Sequence, residues 1–411
     1  MIIEGAVLRR LLPAGLAILL LAMPARPDRV LAAGEAKPFA FLYVSLAGDA
    51  DYAQSKGYTG LVLRDRKPPI DGAASAIRES RIIGRSAGVK FTLEHVELAT
   101  AEDAADQVAS HIAKTAAKAV LLDLPLAPFR AVAGRFSDSN NVIFFNIRHR
   151  DDVLRQSECA ASLFHVLPSN RMLTDALAQY LKSRGWKRVL VLAREAEDDQ
   201  NLADRFTASA NKFGLTIADR RAFVPGNDPR ERDKNNVTLL TGGARYDVIF
   251  LADSEGEFGR YVPYATFRPR LVVGTDGLVA SAWHWTWERY GAPQLNQRFD
   301  RRASRHMSAE DWAGWVAVRS VVEAVTRSAS TDIATIGKTL TAADFAVDLY
   351  KGVPGGFRPW NHQLRQPILL HTYNAVIARA PIEGFLHKDN ILDSLGIDQD
   401  ESACRLDRKT P

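Results

Sequence analysis

Arg148 and Arg150 stand just past the apolar run Val142-Ile143-Phe144-Phe145, where a buried strand would deliver them to the edge of a cleft. A guanidinium fork binds a carboxylate through two parallel hydrogen bonds, so a fixed arginine there suits a planar acid. Surface pairing with Asp151 and Asp152 is the competing use, and for Arg150 it is the better one. Arg64, Asp65, Arg66 and Lys67 follow a second short apolar run, Gly60 to Leu63. A loop there reaches the same cleft or stands as a solvated charge run. Trp283, Trp285 and Trp287 alternate with His284, Thr286 and Glu288, which gathers three of only 7 tryptophans. In extended chain a period of two puts the indoles on one face, either as a wall on which a flat molecule stacks or as hinge packing. Trp360 lies in a Gly- and Pro-rich loop, as a lid or a hinge cover, whereas Trp312 and Trp315, three apart on a helix, belong to a core.

Other chemistry is missing from the pattern. The nine histidines show no ligand spacing on a helix and the two cysteines cannot make a four-cysteine zinc site, so no metal is expected. There is no Gly-x-Ser-x-Gly elbow, no Gly-x-Gly-x-x-Gly and no phosphate loop. An enzyme and a nucleotide cofactor are therefore not expected. Cys159 and Cys404 are an even number in an exported chain and are expected to form a disulfide that staples a polar tail to the body.

The export expectation comes from residues 1–33, which have the layout of a signal peptide. Arg9 and Arg10 precede an apolar stretch from Leu11 to Met23, and cleavage fits after Ala32 or Ala33. The stretch is too short to span a bilayer comfortably, and no cysteine follows it for a lipid anchor. The net charge of +5 falls to +3 once that segment is removed, too small an excess for a nucleic-acid binder. A periplasmic, monomeric protein is expected.

The elements that must position these residues alternate. Strand-like runs at 39–44, 89–98, 119–122 and 142–145 are separated by helical stretches at 72–85 and 101–117. The series restarts near Leu167-Pro168-Ser169-Asn170, with a helix over 172–184, strands at 189–192, 247–251 and 270–273, and a helix over 201–213. Continuous apolar strands and βαβ order predict parallel sheets covered on both faces. At 411 residues the chain exceeds one core. The fold class expected is α/β, with two Rossmann-like lobes and a central cleft. One lobe takes 36–166 plus about 290–345, the other 167–289 plus about 346–380, and 381–411 is a tail. Such a clamp closes on a small molecule held at the carboxyl ends of the strands.

Segment order resembles the type I periplasmic solute-binding proteins, the leucine/isoleucine/valine-receptor class of ABC importers. The matching pieces are Phe164 to Asn170, Gly185-Trp186-Lys187-Arg188-Val189, Val273-Gly274-Thr275-Asp276-Gly277 and Asp311 to Val325. Gly356 to Pro367 and Trp283 to Arg289 are similar to a subfamily encoded with pyrroloquinoline quinone (PQQ)-dependent alcohol dehydrogenase systems. The resemblance implies PQQ or a related aromatic polycarboxylate as the bound ligand, not a catalyst. It implies an ABC permease or a PQQ-dependent dehydrogenase as partner; a sensor or accessory role, and a receptor for amino acids or small aromatic acids, are the alternatives. The candidate ligand contacts are then Arg148, Trp283, Trp285, Trp287, His284, Asp276, Arg64, Lys67 and Trp360. The strand ends Asp123 to Pro128 and Asn146 to Arg150 carry no hydroxyl, a departure from the amino-acid receptors.

Overall fold

The computed structural model describes residues 36–57, 60–226 and 228–407; the expected signal peptide lies outside the described residues. The first lobe contains β1 (Lys37–Leu46), the hairpin strands β2 (Ser55–Lys56) and β3 (Val62–Arg64), β4 (Val89–Leu98), β5 (Ala119–Asp123), β6 (Ile143–Asn146) and β7 (Leu163–His165). Its main sheet is parallel, in the order β4-β1-β5-β6-β7. Successive residues of β1 enter opposite cores. Phe39, Phe41 and Tyr43 pack with the helices Ile70–Glu79 and Ala309–Ser328, while Leu42 and Val44 pack with Ala104–Thr115 and Leu126–Arg135. Burial on both faces is why this strand is apolar without alternation.

The second lobe repeats the plan with β8 (Arg188–Arg194), β9 (Thr216–Phe223), β10 (Val248–Ala252) and β11 (Leu271–Gly274), parallel in the order β11-β10-β8-β9. The helices Asn170–Ser183 and Glu197–Lys212 cover one face. An antiparallel sheet of β12 (Val279–Ser281), β15 (Ile368–His371) and β16 (Val376–Ala380) shares that core, and the short strands β13 (Gly356–Phe357) and β14 (Leu364–Arg365) pair with each other. Strand β9 was not legible as an apolar run, because this edge strand carries Asp219, Arg220 and Arg221 at its centre. The helix expected over 72–85 is two, broken where buried Ser80 donates its hydroxyl to the Ala76 carbonyl at 2.7 Å.

The lobe boundaries differ from the expected ones. The chain leaves the first core after Leu167, returns at Ala282 and Trp283, and leaves again along β15, where Ile368 and Leu370 enter the second core while Leu369 still packs in the first. Residues 346–365 therefore belong with the first lobe, since Val347, Leu349, Phe357 and Leu364 are in its core. Arg327, near the end of the Ala309–Ser328 helix, holds that stretch by donating to the carbonyls of Asp344 and Ala346 at 3.0 and 2.9 Å. The tail is packed rather than loose: Leu392, Leu395 and Cys404 are buried, and Cys404 is bonded to Cys159.

Buried side chains satisfy the backbone where the chain passes between lobes. Arg155 donates to Gln363 Oε1 at 2.6 Å and to the carbonyls of Asp151, His149 and Leu167. Gln363 Nε2 reaches the Leu167 carbonyl at 3.0 Å, and Gln366 Nε2 reaches that of Val166 at 2.6 Å.

Gly72 lets the first helix lie against the Ala309–Ser328 helix, since a Cβ there would stand 1.8 Å from the Asp311 carbonyl oxygen. Gly72→Ala is expected to lower stability by about 1–3 kcal/mol through overpacking. Gly134→Ala, where a Cβ meets nothing within 4 Å, is expected to hold or gain stability. Urea midpoints of the two variants check this.

Candidate functional site

A cavity of about 670 Å³ opens between the lobes, lined by Asp51, Arg66 and Arg148 from the first and by Asp198, Asn201 and Ser254 from the second. It lies beyond the carboxyl ends of β6, β8 and β10, where open α/β sheets hold ligands. A hollow of about 880 Å³ is larger, but it is lined only by residues 225–265 of one lobe.

Arg148 is placed by the end of β6. Asn146 Oδ1 accepts the backbone N–H groups of Arg148 at 3.1 Å and His149 at 2.8 Å, and Asn146 Nδ2 donates back to the His149 carbonyl. This Asx turn aims the guanidinium at the end of β5. There it pairs with Asp49 and Asp51, and with Asp123 at 3.5 Å. Asp123 also accepts the hydroxyls of Tyr43 at 2.5 Å and Tyr52 at 2.6 Å. Burial pushes the Asp123 carboxyl up, against the pull of the two tyrosine hydroxyls and Arg148. Burial alone would also raise Asp51, yet its pair with Arg148 holds it below the usual carboxylate value. His149 is pushed down to about 4 by burial, so it is neutral at pH 7, and its Nε2–H donates to the Leu124 carbonyl at 2.8 Å. Arg148 stands at the cleft as expected, and the alternative pairing with Asp151 and Asp152 does not form. Three other carboxylates already hold it.

The remaining cations of the cavity divide by commitment. Arg150 pairs with Glu310 at 2.6 Å instead of with its neighbours Asp151 and Asp152. Arg205 reaches across the lobes to Asp152 at 2.8 Å, and Arg305 holds Asp311 and, at 3.3 Å, Asp71. Lys67 pairs with Asp65 at 2.7 Å. Arg66 alone of the six lysines and arginines lining the cavity has no carboxylate partner among the described residues. Arg64 sits in β3 outside the cavity lining, with its Nε buried and unpaired.

The tryptophan wall does not form. Chain extension stops at Ser281, and a turn at 285–286 breaks the period of two. Trp283 is 2% exposed, stacks on Trp312 and donates from Nε1 to Asn296 at 3.1 Å. Trp287 is also buried and donates to the Tyr350 carbonyl at 2.9 Å. Only Trp285 reaches the surface, at 37% exposure, and it stacks at 4.1 Å on His306, a cavity residue. His284 stacks on His371 at 3.9 Å and is pushed down to about 4 by burial. Asp276 accepts the N–H of Gly277 and lies outside the cavity lining. Trp360 is buried between Arg358 and Arg365, so it is no lid.

Sequence reasoning missed Asp49, Asp51, Tyr52, His306 and the second-lobe residues Asp198 and Asn201. The first three follow the end of β1, and an Asp-x-Asp after a strand was the available signal. Nothing local marks the other three.

Residues 76–260 match the family model described as the receptor family ligand binding region. No curated protein matches the chain. The branched chain amino acid ABC transporter periplasmic ligand-binding protein of Burkholderia xenovorans is 14% identical, covering 90% of this chain and 100% of that one at a TM-score of 0.70. A solute binding protein of R. palustris, solved in complex with benzoate, is 11% identical over 89% of this chain and 99% of that one, at a TM-score of 0.60. The fold is that of the type I periplasmic binding proteins. A leucine-, isoleucine-, valine-, threonine- and alanine-binding protein from Brucella ovis shares this type I fold in a closed conformation, at 13% identity, a TM-score of 0.62 and coverage of 89% of this chain and 97% of that one.

Two outcomes follow from the burial in this type I scaffold. Trp283→Ala is expected to cost about 3–5 kcal/mol of stability, as a core truncation does, in a denaturant titration. Arg148→Ala strands three carboxylates and is expected to cost about 3–5 kcal/mol at pH 7. A depressed carboxylate such as Asp51 contributes stability above its unfolded pKa and loses it as pH falls through the folded value. The Arg148→Ala deficit should therefore shrink below about pH 4, and unfolding curves at pH 7 and pH 3.5 measure the difference.

Proposed function

We propose that this protein is a periplasmic solute-binding protein that closes its two lobes on a small carboxylate-bearing ligand and hands it to an ABC-type permease. In this reading the protein binds its ligand without transforming it. The observation that carries the reading is Arg66, an uncommitted guanidinium in the interlobe cavity. Next to it, Lys67 and Arg150 are bound to partners that water reaches, with side-chain exposures of 53%/38% and 28%/30% for the two pairs. The Lys67–Asp65 pair, exposed on both sides, is held by only about 0–1 kcal/mol and exchanges cheaply for a ligand carboxylate, while the half-buried Arg150–Glu310 pair adds a second cation beside it. Arg148, 10% exposed and held by three carboxylates, does not.

Three available cations on one wall match a flat polycarboxylate, and His306 backed by Trp285 offers a ring face beside them. PQQ, a tricyclic quinone with three carboxylates, is the ligand we favour, in keeping with the resemblance of residues 356–367 and 283–289. A second reading, an amino acid or small aromatic acid, draws on the free acids Asp151 and Asp198, which with Arg66 give the cavity both signs of charge. It also draws on proteins of similar structure, one a branched chain amino acid ligand-binding protein and one solved in complex with benzoate.

Titrating the mature protein with PQQ, leucine and benzoate, followed by tryptophan emission and calorimetry, separates the readings. PQQ is expected to bind tightest. Arg66→Ala is expected to weaken it by about 10- to 150-fold, the loss of one charge-assisted hydrogen bond of about 1.5–3 kcal/mol. Tighter binding of leucine, or an unchanged affinity in Arg66→Ala, would overturn the polycarboxylate reading.

A further inference from the structure

We propose that residues 396–404 are a fourth, covalently closed connection between the lobes, a strap that limits how far they open before ligand arrives. Its effect on affinity rests on the solute-binding reading; its effect on lobe angle does not.

The second-lobe anchor is Gly396. Its N–H donates to Asp175 Oδ2 at 2.9 Å and its carbonyl accepts Lys212 Nζ at 3.0 Å. Leu395, beside it, is fully buried in the second core. The first-lobe anchor is Cys404, bonded to Cys159. That cysteine lies between Glu158, paired with Arg130 of the Leu126–Arg135 helix at 2.7 Å, and Ala160, which packs in the first lobe's core. Ala403 N–H also donates to Gln156 Oε1 at 2.8 Å. The anchors thus stand eight residues apart, Cys404 on the body of the first lobe and Gly396 on the second core, where Arg358 also reaches the Leu395 carbonyl at 2.8 Å from the passage between lobes.

The disulfide changes the topology. Cys159 and Cys404 are 245 residues apart, and the whole second lobe lies inside the ring they close. Without the bond the tail is tied to residues 346–365 beside the passages, through the buried Arg358–Asp393 pair at 2.8 Å and the Leu395 carbonyl, and to the body of the first lobe around Cys159 only by a few hydrogen bonds. With it, every opening motion must fit within the reach of the strap, at most about 26–29 Å for eight extended residues. A turn at 399–401 takes up part of that length. The strap therefore permits rotation and bounds it, and a bounded open state raises the fraction poised for closure.

Small-angle scattering of the ligand-free and PQQ-saturated protein tests this on two kinds of variant. One is Cys159→Ser with Cys404→Ser. The other keeps the bond and inserts four or eight Gly/Ser residues after Asp400, so stability conferred by the bond is retained if the first kind folds poorly. The ligand-free radius of gyration is expected to rise with strap length and to be largest in the serine variant, with the saturated form unchanged. The Kd for PQQ should rise by about twofold for each halving of the closure-competent fraction. Insertion variants that scatter as the parent does, whatever the melting temperature of the serine variant, would show a bond that only staples the tail and would overturn the strap. Absence of PQQ binding in every protein would sink the ligand reading, while the ligand-free scattering still decides the strap.

Discussion

The structure depends on meeting one obligation. Two lobes, each with its own hydrophobic cores, are joined by a chain that passes between them, and peptide groups buried at the passages must find partners without water. Arg155 discharges most of this. It is 2% exposed and has no carboxylate partner among the described residues, yet it donates to three backbone carbonyls and to Gln363. Burial pushes it down to about 10, so it stays charged at neutral pH, and its charge is spread over carbonyl dipoles. Lys351 works beside it, donating to Gln366 and to the Pro367 carbonyl at 3.1 and 3.0 Å above the ring of Trp312. Burial lowers its pKa well below the usual lysine value. Residues on three distant stretches of chain are locked to one another here.

From that joint outward, the cleft sorts its charges by exposure. Deep cations are spent on structure: Arg148 on the acids at the ends of β1 and β5, Arg305 on the start of the Ala309–Ser328 helix. Shallow ones are free or lightly held. Breaking a buried pair costs several kcal/mol whereas a surface pair is worth little, so in the proposed reading it is the shallow set that serves a visiting anion. Arg148 is then the support under the wall, and Arg66 and its neighbours are the wall.

Much of the fold is legible in the amino-acid sequence. Strands such as 119–122 and 142–145 announced themselves because burial on both faces demands unbroken apolar runs, and the restart at Leu167 marked the second lobe. What escaped were the edge elements. Strand β9 has one side in water and carries charge, and residues 346–365 belong to the first core through contacts made far along the chain.

For the site, sequence by itself determined that cations and aromatic rings stand near strand ends, and that two cysteines were available to pair. Residue type and local period carry that information. Only the tertiary structure decided which of them are free. Trp283 and Trp287 went into the core because a turn at 285–286 cancelled the period of two, and Arg148 was taken by Asp49 and Asp51, about a hundred residues away. Commitment of a charge depends on what the fold brings within a few ångströms of it and on how much water remains there. Neither quantity is a property of the neighbours in sequence.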